Sequence, residues 1–226
     1  RVYGHSDDMM TYIQDDLGSS SLFDVIAPGR LNGEWNDGIV ALLEKAVRVL
    51  PDFQWKGAEE LDFSRCYPVD SMNKRAVMWD LNYFKYYFLK TSGVEFDEDK
   101  LEDDFDRLAS DIVSLDTGTF MYRDFQSRNV MTLDGQPWFI DFQGGRRGPY
   151  HYDIVSFLWQ AKANFPDWLR ERLLDVYIES ASRYIAIDRR RFDEELRYVR
   201  LLRILQVLGA YGFRGRIERK PHLLQS

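Results

Sequence analysis

Apolar residues recur at the 3.6-residue spacing of helices through most of the chain. Strand-like runs are confined to its start and to one central block. Ile39, Leu42, Leu43, Ala46, Val47 and Leu50 form the first helical stripe, with Asn36 or Asp37 as its cap and Pro51-Asp52 as its end. The stretch from Phe53 to Tyr67 has no periodicity and reads as a loop. Asp70 to Asn73 open a second helix carrying Met78, Leu81, Phe84, Tyr87 and Phe88, which closes at Thr91-Ser92-Gly93. Asp97 caps a third. There Leu101, Phe105, Leu108, Ile112 and Leu115 keep to one stripe, and acidic residues from Glu98 to Asp106 cover the outer face. Three more helices follow Tyr150: one with Ile154, Val155, Phe157, Leu158 and Ala161, one entered through Pro166, and one from Phe192 to Leu208. Gly209, Gly212 and Gly215 end the last pattern.

Met9 to Gln14 reads as a strand, stopped by Asp15-Asp16-Leu17-Gly18. In the centre, Gly118 to Tyr122 form a strand, and Asn129 to Leu133 pair with Pro137 to Ile140 across Asp134-Gly135, the strongest short hairpin signal. Pro28 to Gly33 reads as a turn, and Gln143 to Tyr150, glycine-rich and without apolar alternation, as a loop. The fold class is α+β, mainly helical with one small hairpin.

Composition narrows the function. A formal net charge of −7 argues against a general nucleic-acid surface, and the basic stripe Arg197, Arg200, Arg203 is interrupted by Glu194 and Glu195. One cysteine, Cys66, rules out an intrachain disulfide framework and agrees with a reducing, cytoplasmic compartment. No apolar run approaches the roughly 20 residues that span a bilayer, so no membrane partner is expected.

The chemistry sits between Phe120 and Asp153. The runs Tyr122-Arg123-Asp124-Phe125-Gln126-Ser127-Arg128-Asn129 and Ile140-Asp141-Phe142-Gln143-Gly144-Gly145 place Asp124, Asn129 and Asp141 around short apolar segments. Phosphoryl transfer needs such a set: one carboxylate to orient a hydroxyl and receive its proton, and an amide oxygen with a second carboxylate to hold Mg²⁺ against the phosphates. In order and spacing these motifs resemble the aminoglycoside and choline phosphotransferase family, relatives of the protein kinases. The fuller runs, with Gly148-Pro149 and Tyr152-Asp153, look like the sugar kinases that phosphorylate N-acetylmuramate or N-acetylglucosamine at the anomeric hydroxyl.

The resemblance implies an ATP- and Mg²⁺-dependent small-molecule kinase with Asp124 as the catalytic carboxylate and Asn129 and Asp141 as metal ligands. Tyr122 stands where the family has a histidine, and it is expected to pack and orient. Asp153 is expected to accept hydrogen bonds from the catalytic-loop backbone. Gln143, Arg146 and Arg65 are candidate acceptor or phosphate contacts, although exposed arginines are more often merely solvated. Residues 1–18 resemble the end of an N-terminal lobe and its hinge, where the backbone of Asp15 and Leu17 would receive adenine. A short helix capped by serine follows. Residues 19–215 would be the helical C-terminal lobe and 216–226 a tail or a linker to a further domain. No phosphate-covering loop or phosphate-binding lysine can be matched before Asp15, so most of the N-terminal lobe is expected to be missing and this piece alone inactive. The alternatives are an aminoglycoside or choline-type kinase, or a non-catalytic kinase-like binding module. Nuclease or metal-hydrolase chemistry would leave the hinge-like segment unexplained.

Overall fold

Two short strands, β1 (Val2–His5) and β2 (Tyr12–Gln14), pair antiparallel before the chain turns into helices; the computed structural model describes residues 2–115 and 117–217. The second strand is shorter than expected because Met9 lies at φ 59, in a turn closed by Ser6 and Thr11. Ser21 then caps α1 (Leu22–Val25). Its side chain accepts from the Asp24 amide, and the Asp24 carboxylate takes the Ser21 amide in return. Pro28 to Gly33 is not a loose turn but α2 (Ala27–Asn32). Proline is tolerated in a first helical turn, and Gly33 at φ 77 closes the helix in the left-handed region.

The Asn36 side chain caps α3 (Asp37–Glu59) through the Ile39 amide at 2.9 Å. This helix does not end at Pro51, and the first part of the expected loop is two further helical turns, the loop itself beginning only after Glu59. Proline costs a helix interior about 3 kcal/mol. Here Pro51 is buried, and residues beyond it pack on the central strands, so tertiary contact outweighs local propensity. A 3-10 turn (Phe63–Arg65) and then α4 (Lys74–Phe84) follow. After α4 come a π-helical segment (Lys85–Leu89) and α5 (Lys90–Ser92), which together complete the long helix read from the sequence. Asp97 caps α6 (Glu98–Ser114) as its pattern indicates. Lys85, almost fully buried, joins the π-helical segment to α6 through Glu98 and Glu102, each at 2.5 Å.

β3 (Thr119–Met121) enters the central block, and β4 (Val130–Leu133) pairs with β5 (Gln136–Phe139) across Asp134 and Gly135, both at positive φ as a type I′ hairpin turn requires. The glycine-rich stretch after Asp141 is not wholly loop. It contains β6 (Arg146–Gly148), which pairs antiparallel with β3. Three residues bracketed by glycines show no alternation, and the strand exists because β3 offers an edge. The chain continues through α7 (His151–Leu158), α8 (Asp167–Ala181) and α9 (Arg189–Gly212), with a π-helical segment (Phe213–Ile217) at its end. The predicted tail from Arg216 onward lies mostly outside the described residues. Among the described residues no helix is long and apolar enough to cross a membrane.

In the core, α3 packs on α8, α7 on α9, and α4 on both α6 and α9. Gly209 and Gly212 do not end the last helix; they lie inside it, where α9 meets the long helix of α4. A Cβ on Gly212 would stand 2.1 Å from the Tyr87 carbonyl oxygen, and one on Gly209 would stand 2.8 Å from the Phe84 amide nitrogen. Backbone cannot retreat as a side chain can, so overpacking of about 1–3 kcal/mol is expected for Gly212→Ala in urea denaturation. Gly57→Ala in α3 would meet only Phe120 at 4.0 Å and should be neutral or stabilising by up to about 1 kcal/mol, from helix propensity.

Candidate active site

The site is built around a carboxylate that never reaches solvent. Asp153, in the first turn of α7, is wholly buried; its two oxygens accept the backbone N–H of Tyr122 at 2.9 Å and of Arg123 at 2.8 Å. Two successive amides can face one carboxylate because Arg123 adopts φ 74, a conformation costly for a residue with a Cβ. The next residue, Asp124, is thereby placed half-buried, three residues beyond β3. A third donor comes from α3: Gln54 Nε2 reaches Asp153 at 3.3 Å and the Tyr150 carbonyl at 2.9 Å, and the Tyr177 hydroxyl donates to Gln54 Oε1 at 2.7 Å. Burial pushes the Asp153 carboxyl up to about 6, against the lowering effect of these donors. Gln54 and Tyr177 were not foreseen from the sequence, because ending the helix at Pro51 left Gln54 in a loop.

A second set of bonds joins the catalytic loop to the hairpin. Asn129 Nδ2 donates to the Asp124 carbonyl at 2.8 Å and to Asp141 Oδ2 at 3.1 Å. The Tyr122 hydroxyl donates to the Ile140 carbonyl at 2.7 Å, immediately before Asp141, and burial holds it neutral by raising its pKa. Asp141 itself lies at φ 72, exposed, with Gln143 Nε2 on its other oxygen at 2.5 Å. Asp124, Asn129 and Asp141 are therefore brought together, as their spacing implied. Because its Nδ2 serves both of these acceptors, the Asn129 side-chain oxygen remains available to a cation. No group of three or more His, Cys, Asp or Glu that could hold a metal exists among the described residues. One amide oxygen and one carboxylate suit a hard cation that takes its remaining ligands from phosphate and water, so the donor set fits Mg²⁺.

The other candidates separate. Asp15 and Leu17 are half-buried in the segment after β2, and the Tyr3 hydroxyl bonds Asp15 at 2.5 Å. That segment is tied to the hairpin where the Thr132 amide donates to the Ser20 carbonyl at 2.9 Å. Arg146 is 2% exposed, and its guanidinium donates to the Gly144 carbonyl at 3.3 Å and to that of Tyr67 at 3.5 Å, which places it inside the structure as a brace for the loop. Exposed Arg65 pairs with Asp62 at 3.4 Å beside a shallow recess shared with Gln143, away from the cleft that contains Asp124. That cleft, of about 580 Å³, opens between the catalytic loop, α4 and α9, and Trp79, Asp80, Gln126, Trp159 and Gln206 help to line it. Trp79, on α4 between Met78 and Leu81 of its apolar stripe, is 46% exposed.

The buried carboxylate gives a pH signature. Below about 6 Asp153 gains a proton, loses part of its acceptor capacity, and holds the Tyr122 and Arg123 amides less firmly. Its folded-state pKa is raised above the ordinary 3.8, so its own contribution to stability is fully present below that value and is lost as pH rises through about 6. Catalytic order and stability thus move in opposite directions between pH 4 and 6. Any turnover should fall below pH 6. Gln54→Leu, which removes a donor that favours the charged form, should shift that acid limb upward in a kcat–pH profile.

Residues 76–194 of the chain match the phosphotransferase enzyme family. Two curated relatives are N-acetylmuramate/N-acetylglucosamine kinases. That of Neisseria meningitidis is 27% identical over 77% of this chain and 49% of its own length. That of Pseudomonas aeruginosa is 25% identical over 92% of this chain and 59% of its own. The chain thus spans about half the length of the curated relatives it matches. Among solved structures, APH(2'')-IIa in complex with gentamicin superposes with a TM-score of 0.61 at 13% identity, over 98% of this chain and 70% of that one. The fold is therefore α+β and protein-kinase-like, and with more than half of its length matched, the chain belongs to the phosphotransferase enzyme family.

Proposed function

We propose that the protein is an ATP- and Mg²⁺-dependent kinase that phosphorylates a hydroxyl of a small molecule, an amino sugar such as N-acetylmuramate or N-acetylglucosamine. The observation that carries this reading is the placement of Asn129, which bonds at once to the backbone of Asp124 and to the Asp141 carboxylate. It holds the proton acceptor and the cation ligand in one fixed relation, the geometry that phosphoryl transfer needs.

In this reading the acceptor hydroxyl bonds to the Asp124 carboxylate, which takes its proton as the new O–P bond forms and the bond to ADP breaks. Asn129 and Asp141 would hold Mg²⁺, which neutralises charge on the phosphate oxygens. Tyr122 fixes the distance between the two halves by its bond to Ile140. The hinge at Asp15 and Leu17 would receive adenine through backbone groups, and Gln143 would steady Asp141. Support for a sugar acceptor comes from the names of the two curated relatives and from the cleft. Gln126 offers an amide to hydroxyl and acetamido groups, and Trp79 and Trp159 offer ring faces. A second reading, an aminoglycoside acceptor, is favoured by the fold shared with the gentamicin complex.

The test is ADP release by the full-length protein with N-acetylmuramate, N-acetylglucosamine, choline and an aminoglycoside, each beside Mg-ATP. Turnover with either sugar is expected, and turnover only with choline or the aminoglycoside overturns the acceptor. Asp124→Asn should lower kcat by about 10²–10⁴-fold with nucleotide binding nearly unchanged, the usual range for lost general acid–base catalysis. Asp141→Ala should weaken Mg-ATP binding as well, and unchanged affinity by calorimetry would remove the metal assignment. Tyr122→Phe, which leaves the Ile140 carbonyl without its donor, should cost about tenfold or less in rate.

A further inference from the structure

The chain carries a net charge of −7, yet the cleft that contains Asp124 has the opposite sign. Its lining holds Arg123, Arg128, Lys162, Arg203 and Arg214 against only Asp80 and Asp124. Asp80 is already matched from two sides. Arg123 lies 3.8 Å away, and burial raises the Asp80 pKa while Arg123 and Arg203 draw it down. Arg203 is fixed in place by Ser156 Oγ at 2.5 Å and by Gln206. Arg128, Lys162 and Arg214 have no carboxylate within ion-pair distance among the described residues; Arg128 instead lies over the Phe23 ring at 4.7 Å. Arg128 also draws down the Asp24 carboxyl from a distance, so Lys162 and Arg214 are the two cations left without counter-charge around one catalytic carboxylate.

Both sit on elements that wall the cleft. Arg203, Val207, Ala210 and Arg214 recur at helical spacing along α9 and its π-helical end, and all four line the cleft. Lys162 comes from the turn after α7, beside Trp159 and Gln160. The nucleotide-side groups, Asn129 and Asp141, do not line this cleft. An excess of positive charge here, in a chain that is acidic as a whole, raises the local concentration of anions and penalises polycations.

We propose that the acceptor carries a carboxylate of its own, which the unpaired cations of the cleft, led by Arg214 and Lys162, select. This deepens the sugar-kinase reading and rests on it. N-acetylmuramate and N-acetylglucosamine make a matched pair of probes, since they differ by a lactyl carboxylate on the same ring. A polycationic aminoglycoside is disfavoured by the same field, and an uncharged hexose neither gains nor loses by it.

The experiment measures kcat/KM of the full-length protein for both sugars and KM for ATP, in the parent and in Lys162→Gln, Arg214→Gln and the double variant. Both positions are at the cleft surface, outside the buried core, so the variants should fold. The parent should favour N-acetylmuramate. The ratio of its kcat/KM to that of N-acetylglucosamine should fall about tenfold or more in the double variant, the scale of one lost charge-assisted contact. A parent without preference, or variants that slow both sugars equally, would overturn the carboxylate assignment and leave the sugar-kinase reading standing. A rise in KM for ATP with sugar selectivity unmoved would overturn it by assigning the charge to the triphosphate. No turnover with either sugar would remove the acceptor reading itself.

Discussion

A carboxylate taken out of water must be supplied with donors, and Asp153 obtains three of them from two parts of the chain. The Tyr122 and Arg123 amides come from the catalytic loop, and the Gln54 amide comes from a helix that precedes the loop by more than sixty residues. The cost of leaving any of these unpaired inside the protein holds Arg123 in a left-handed conformation it would otherwise avoid. The side chain of Asp124, the next residue and the proposed proton acceptor, inherits its direction from that constraint. Tyr177 extends the network into α8, so α3, α7, α8 and β3 converge on one buried group. Its raised pKa indicates that burial is only partly offset by hydrogen bonding, a cost in stability accepted where backbone geometry must be fixed.

The second constraint is that two half-sites, loop and hairpin, must keep register. Tyr122 does this from within: its backbone serves Asp153 while its hydroxyl serves Ile140, so one residue couples the loop that carries Asp124 to the strand end that carries Asp141. A histidine at this position has a shorter reach; tyrosine spans the gap with a hydroxyl that stays neutral near pH 7. Asn129 closes the same gap from the other side.

Much of this was legible in the sequence, and the exceptions share a cause. The cores of the helical stripes and the cap at Asp97 depend on local periodicity and local hydrogen bonds and stand as read, while the structure settles on Asn36 rather than Asp37 and on Asn73 within Asp70 to Asn73. The Asp134-Gly135 hairpin required positive φ at two adjacent residues, which the residue types announced. Local rules failed where a distant partner decides. Pro51 breaks an isolated helix but not one clamped by the core, and with that error Gln54 was lost from the site. Arg147 and its neighbours form a strand only because β3 lies beside them. Arg146, adjacent to a metal-ligand motif, looked like a phosphate contact, whereas burial and two carbonyls hold it inside. No periodicity distinguishes an arginine that braces a loop from one that faces a ligand.

The glycines of α9 show the same principle acting on the acceptor side. Read locally, Gly209 and Gly212 are helix breakers; in the fold they let α9 approach the backbone of α4 and its π-helical continuation more closely than a Cβ would permit. That approach fixes the angular position of the rest of α9. Because Gly209 and Gly212 are committed to α4, Arg203, Val207, Ala210 and Arg214 are turned to the cleft beside the aromatic face of Trp79 and Tyr83. A backbone contact between helices cannot relax by rotamer change, so the cations of this wall stand on a rigid support, as groups that discriminate between similar acceptors must. In the proposed reading, chemistry belongs to the loop and hairpin held by Asp153, and selection to the helical wall held by two glycines. The cleft is where these separately fixed parts meet.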